Sequence, residues 1–141
     1  MKRINYSSTS LWEPLRGYSR AVRAGDNLYI SGTTAVVSAT GEVVAPGNAY
    51  EQTVFVLERI RKILDRCGFT IEEVVRTRLF VTALSTWDEY ARAHRIVFKN
   101  IRPASSIVQV TRLVDPRLMI EIEVDAVKGA SEAEEIALTD V

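Results

Sequence analysis

Apolar and polar positions alternate most regularly towards the C-terminal end of the chain. Leu118, Ile120, Ile122, Val124 and Ala126 alternate with Met119, Glu121, Glu123, Asp125 and Val127, and a period of two marks a strand with one buried face. The second face carries Glu121, Glu123 and Asp125 in a row. Their mutual repulsion calls for water, arginines or a ligand opposite them. A strand-like run from about Ser105 to Leu113 comes just before, separated by Val114-Asp115-Pro116-Arg117. Pro116 fixes φ there and lacks a ladder donor, so the two runs predict an antiparallel hairpin.

Further short alternations occupy the N-terminal third. Tyr18 to Ala24 (YSRAVRA) and Leu28 to Thr33 (LYISGT) flank Gly25-Asp26-Asn27 and predict a first hairpin. Gly32 at the end of a β-rich run marks a bulge, a close approach of backbone or ligand, or simply the turn that ends the strand. Thr40-Gly41 makes another turn, and Glu42 to Ala45 predicts a short edge strand before Pro46-Gly47. From Asn48 or Ala49 the period changes. Val56, Ile60, Ile63, Leu64 and Cys67 fall on one helical face, with Glu58, Arg59, Arg61, Lys62, Asp65 and Arg66 around the remainder and Gly68 as the stop. After the connector Ile71-Glu72-Glu73, the run Val74 to Ala83 predicts a strand with Val75, Thr77, Leu79 and Val81 on one face and Arg76, Arg78 and Phe80 on the other. The two arginines are natural partners for the acidic row, as a salt-bridge lattice. Ser85 or Thr86 caps a second helix with Asp88 and Glu89 in its first turn and Trp87, Tyr90, Ala91, His94, Val97 and Phe98 at helical spacing. Residues 1–15, anchored by Trp12 and Pro14, read as an irregular arm, and 129–141 as a loose acidic tail.

This order predicts an α+β domain with two helices on one face of a mostly antiparallel sheet. The uncovered face, with Phe80, Val110, Met119 and alternating charges, predicts burial against other subunits. A length of 141 residues with 47% hydrophobic content fits one domain with an ample core. Eighteen basic residues balance eighteen acidic ones, which leaves no broad footprint for nucleic acid or anionic lipid. Cys67 is the single cysteine. It sits in the apolar stripe and reads as a small core residue, not a nucleophile. His94, the one histidine, excludes metal sites that need several imidazoles. Any Ser-His-Asp triad would have to use it, and it reads as a packed side chain. No run approaches the roughly 18 apolar residues of a membrane span, MKRINYSSTSLWE lacks the core of a secretory signal, and no phosphate loop or cofactor motif is present. A soluble, cytoplasmic protein without cofactor or metal is expected.

GYSRAVRAGDNLYISGT, the helix closed by a glycine, VVRTRLFVT, and RPASSIVQVTRL followed by IEIEVDAV, taken together and in this order over roughly residues 17–128, resemble the Rid/YjgF family of enamine/imine deaminases, also known as endoribonuclease L-PSP-like proteins. The resemblance implies a chorismate-mutase-like domain over 17–128, an N-terminal arm over 1–16 and a tail over 129–141. It further implies a homotrimer with small-molecule sites in the clefts between subunits. By position, it makes Glu121 the residue that positions the attacking water and Tyr18 a wall of the cleft. Gly32 and Ile107 contribute backbone groups. The family's carboxylate-binding arginine falls on Ser105, and the asparagine many members carry in the second helix falls on Ala91. A serine offers one neutral hydroxyl where a charged fork stood. A charge-assisted hydrogen bond contributes roughly 1.5–3 kcal/mol, so a 2-imino acid held by Ser105 alone is expected to bind about tenfold to hundredfold more weakly. Either the cleft takes a different small ligand, or Arg78 supplies the cation from the neighbouring strand. Three functions therefore stand: a hydrolase of small reactive enamines or imines, a non-catalytic trimer that binds a metabolite or protein in the same clefts, and a ribonuclease. The balanced charge and the lack of a basic, aromatic platform speak against the third.

Overall fold

A computed structural model describes residues 1–141. In chain order its elements are β1 (Arg3–Tyr6), α1 (Trp12–Arg16), β2 (Ala21–Ala24), β3 (Asn27–Thr34), α2 (Ala49–Arg66), β4 (Val74–Val81), α3 (Trp87–Phe98), β5 (Ala104–Gln109) and β6 (Ile120–Val127). All six strands join one sheet in the order β1-β2-β3-β6-β4-β5. The acidic strand β6 is therefore central, antiparallel to both β3 and β4.

Its alternation is as the sequence predicts. Ile120, Ile122, Val124 and Ala126 are buried, whereas Glu121, Glu123 and Asp125 lie half-buried on the opposite face. The core fills the space between that apolar face and α2, where Val56, Leu57, Ile60 and Leu64 pack beside Leu28, Leu79 and Val81. Asn48 caps α2 by accepting from the Glu51 amide at 3.0 Å, and Gly68 (φ +79°) ends it, close to the bounds expected. Inside α2 the fully buried Gln52 is a clamp. Its Nε2 donates to the carbonyls of Val44 and Arg117, and its Oε1 accepts from the Met119 amide at 2.7 Å. The clamp fixes the chain two residues before Glu121.

The first hairpin forms as predicted, with Gly25 at φ +60° opening a two-residue turn between the paired Ala24 and Asn27. The closing hairpin does not form. β5 runs parallel to β4, with Thr77 opposite Ser105 and Leu79 opposite Ile107, while β6 lies on the other side of β4. The intervening helix α3 supplies the crossover that a parallel pair needs. Asp115-Pro116-Arg117 is a turn, with the Leu118 amide on the Asp115 carbonyl, but it leads the chain past β4 instead of folding it back. β5 also stops at Gln109, short of Leu113.

Smaller corrections have local causes. The arm is not irregular: β1 pairs with β2, and α1 ends at Gly17 (φ +73°), whose amide bonds back to the Glu13 carbonyl. Four and five residues are too few to show a period. Between Val36 and Val43 only an isolated bridge forms, not an edge strand over 42–45. A register shift between Val74 and Arg76 turns Val75 outward, 36% exposed, although its parity groups it with Thr77 and Leu79. Trp87, expected on the apolar face of α3, is 59% exposed. After Val127 the chain forms no further helix or strand.

Candidate functional site

The register of β3 on β6 shifts between Ile30 and Thr33, so Ser31 and Gly32 form an irregular stretch facing β6. There the Glu121 carboxyl lies against the Gly32 backbone: a Cβ built on Gly32 would stand 2.5 Å from Glu121 Oε2. Glycine is required at this point by close approach, and of the alternatives the sequence leaves open the bulge and the close approach occur together. Burial raises the Glu121 pKa, and the like charge of Glu123 raises it further, against a smaller opposite pull from Arg20 and Arg16.

Arg20, in the turn into β2, is only 7% exposed. Its Nη2 donates to the Gly32 carbonyl at 2.7 Å, while its Nε is buried without a hydrogen-bond partner. Burial lowers its pKa, opposed by the neighbouring Tyr18, Glu13 and Glu121. Tyr18 is half-buried; the Arg16 guanidinium sits 4.6 Å and that of Arg20 5.8 Å from its ring centre. Arg59 of α2 adds a third guanidinium. It donates to the Thr34 carbonyl at 2.7 Å and to Ser38 Oγ at 3.0 Å, and its pKa is lowered by burial and by the nearby Arg20. Tyr18, Gly32 and Glu121 are thus gathered around Arg20. Arg16, Arg20 and Arg59 are the site residues that sequence reasoning missed. A signal existed for Arg20, which stands two residues after Tyr18, the spacing of one strand face.

The other predicted residues lie elsewhere. Arg78 is paired with the acidic row, 3.9 Å from Glu123 and 3.5 Å from Asp125, and Arg76 lies 3.6 Å from Asp125. Ser105 points to the helix-covered face. There the buried Thr77 hydroxyl donates to Ser105 Oγ at 2.8 Å and shares a 2.9 Å hydrogen bond with His94 Nε2. Burial lowers the His94 pKa and favours the neutral ring. Ile107, on the same edge strand, is 38% exposed. Strand parity therefore separates the Ser105 side chain from Glu121 within one chain: β4 lies between them, with Phe80 opposite Glu121 and Thr77 opposite Ser105.

An open cleft of about 450 Å³ adjoins the arginine cluster, walled by Glu13, Gly17, Tyr18, Ser19 and Ser31. A second, of about 410 Å³, lies between α3 and the tail and contains no predicted site residue. No group of three or more His, Cys, Asp or Glu side chains is arranged to hold a metal ion, and no helix is long and apolar enough to cross a membrane.

Known proteins give this geometry a context. The family model described as endoribonuclease L-PSP matches residues 9–128. A RutC family protein of Saccharolobus solfataricus is 36% identical over 118 residues, 83% of this chain and 91% of the relative. The crystal structure of a YjgF-family member from Mycobacterium tuberculosis superposes with a TM-score of 0.80 at 40% identity, covering 89% of this chain and 99% of that one. TdcF of Escherichia coli, solved with bound serine, matches with a TM-score of 0.72 at 27% identity over 79% of this chain and 88% of its own.

Proposed function

The chain belongs to the endoribonuclease L-PSP family, also called YjgF or RutC, and from that membership we propose that it hydrolyses small reactive enamines or imines in clefts between the subunits of a homotrimer. The observation that carries this reading is Glu121, a half-buried carboxyl with a raised pKa, pressed on Gly32 and sharing its neighbourhood with Tyr18 and Arg20. A carboxyl lifted towards neutrality can both take and return a proton. As carboxylate, Glu121 takes a proton from water while the oxygen adds to the imine carbon. As carboxylic acid, it returns that proton to the nitrogen of the tetrahedral carbinolamine formed from the protonated imine; ammonia leaves as the C–N bond breaks, and the regenerated carboxylate takes the hydroxyl proton, which leaves the carbonyl. The Tyr18 phenol orients the reacting atoms. The serine in the TdcF structure supports a ligand of metabolite size with a carboxylate.

A homotrimer accounts for the uncovered sheet face. Tyr29 and Val108 are 49% and 44% exposed, and every residue of the edge strand β5 is exposed in the single chain. Light scattering tests this directly: a stable species of 15.8 kDa would remove the clefts. A second reading, a non-catalytic binder of small metabolites, is favoured by the neutral Ser105 held by Thr77. Release of ammonia and keto acid from imines generated in place by an amino-acid oxidase separates the two. The enzyme accelerates release, and Glu121→Gln loses about 10²–10⁴ of that acceleration. A panel that gives no acceleration leaves the binder.

A further inference from the structure

Around Tyr18 the chain gathers three guanidinium groups, Arg16, Arg20 and Arg59, against two carboxylates, Glu13 and Glu121. None of the five belongs to an ion pair within 4.0 Å, although seven such pairs form elsewhere in the chain. Glu13 is already occupied by the amide and hydroxyl of Ser8. Arg59 is occupied by Thr34 and Ser38. Arg20 is the unfinished member: more than nine-tenths buried, bonded through Nη2 to the Gly32 carbonyl, with an orphan Nε. A buried donor without an acceptor is rare enough in folded proteins to require a reason, and a guanidinium with a free edge is the group best matched to a planar carboxylate. The group it does hold, the Gly32 carbonyl, belongs to the residue on which the Glu121 carboxyl rests.

We infer that Arg20, assisted by the more exposed Arg16 across the Tyr18 ring, is the anion anchor of the cleft, and that its ligand is a small carboxylate whose adjacent trigonal carbon is presented to Glu121. This inference rests on the hydrolase reading for the identity of the reacting carbon, but the anchor itself is measurable without turnover. It places the cation on the β2–β3 side of Glu121, not on Ser105, whose hydroxyl is held on the opposite face.

The test uses pyruvate and its neutral amide, pyruvamide, as non-reacting probes of the full-length protein. On titration with pyruvate the Nε–H cross-peak of Arg20 shifts in a ¹H–¹⁵N spectrum and pyruvamide leaves it in place. Arg20→Gln, which keeps a donor for the Gly32 carbonyl, weakens pyruvate about tenfold to hundredfold and spares pyruvamide, the loss expected for one charge-assisted pair. Arg20→Lys keeps the charge but not the fork and gives an intermediate loss. Equal affinity of the unaltered protein for acid and amide, or a motionless Arg20 cross-peak at saturating pyruvate, overturns the anchor even if neither variant folds. Pyruvate binding through Arg20 without acceleration of imine hydrolysis overturns the hydrolase and leaves the anchor standing. Hydrolysis that is insensitive to Arg20→Gln does the reverse.

Discussion

Replacing Gly32 by alanine separates the chemistry of Glu121 from the stability of the fold. The added Cβ would lie 2.5 Å from Glu121 Oε2, 2.7 Å from Cδ and 3.0 Å from Cγ, well inside the roughly 3.5–4.0 Å of an ordinary contact. Gly32 is not among the residues with positive φ, so alanine fits the backbone, and the three nearest conflicts all fall on one side chain. Glu121 relieves it by turning away. Holding a side chain about 30° off its rotamer costs about 0.5–1.5 kcal/mol, and the stiffer unfolded chain of the alanine variant returns about 0.4–1 kcal/mol. The net loss is therefore below about 1.5 kcal/mol, which lowers Tm by no more than about 10 °C for a domain of this size. Displacement of a positioned proton-transfer group costs about 10²–10⁴ in rate. Glycine-to-alanine at 32 should abolish most turnover in a protein that still melts cooperatively.

The pH profile sharpens this test. Glu121 must be ionised to take a proton from water, so the rate rises with pH through its pKa, and burial sets that limb above the usual carboxylate range. Once expelled into water the carboxyl ionises more readily, and the residual activity of the alanine variant has its acid limb at lower pH. Ammonia release measured from pH 4 to 9, beside calorimetric melting, reads both quantities. A variant within about threefold of native kcat/KM would refute the placement of Glu121. So would a loss of more than about 3 kcal/mol of stability, which would mean that Gly32 serves packing.

Two further outcomes concern the scaffold. Burial alone would raise the Glu73 pKa, but hydrogen bonds from the Gly129 and Thr70 amides and the Lys128 ammonium outweigh it and hold the carboxyl below its usual range. Its contribution is therefore complete above an unfolded pKa of about 4.3 and is lost as pH falls through the folded value. Glu73→Gln should cost about 1–3 kcal/mol at pH 7 and flatten the acid slope of urea-unfolding stability; parallel slopes would refute it. His94, whose pKa burial lowers, should titrate by NMR below about 6.5, so that stability drops as pH falls below that value because the unfolded chain is protonated first. A midpoint at or above about 6.5 would show that the ring is not desolvated beside Thr77.

Most of the sheet and both long helices were legible because each has a period long enough to read. β6 shows its buried and acidic faces over eight residues, and α2 carries its stripe between a side-chain cap and a terminal glycine. Pairing was another matter. The runs that became β5 and β6 look like neighbours because a proline turn joins them, but partner choice depends on β4, which occupies the place between them and leaves β5 as an edge. The site was legible in part for the same reason. Gly32 and Glu121 are in contact across the β3–β6 pair as a bulge and a strand face allow. Arg20, Arg16 and Arg59 come from a turn, a five-residue helix and the polar side of a long helix, and no spacing rule unites three such sources.

The charge row on β6 weighs Arg78 against Arg20 as the cation of the cleft. Arg78 already faces Glu123 and Asp125, and at 42% exposure such pairs contribute only about 0–1 kcal/mol. Their weakness does not tie Arg78 down; the electrostatics of its neighbours does. A ligand that drew Arg78 away would leave Glu123 unneutralised beside Glu121, and the like charge of Glu123 already raises the Glu121 pKa. Recruiting Arg78 would therefore push the Glu121 pKa further up and disfavour the ionised form of the base it is meant to serve. Arg20 has no ion-pair partner to abandon, and a carboxylate on its free edge would supply the acceptor its Nε lacks. The positive charge this site requires lies on the β2–β3 side of Glu121, where the carboxyl meets Gly32, and Arg76 and Arg78 keep the rest of the acidic row neutral.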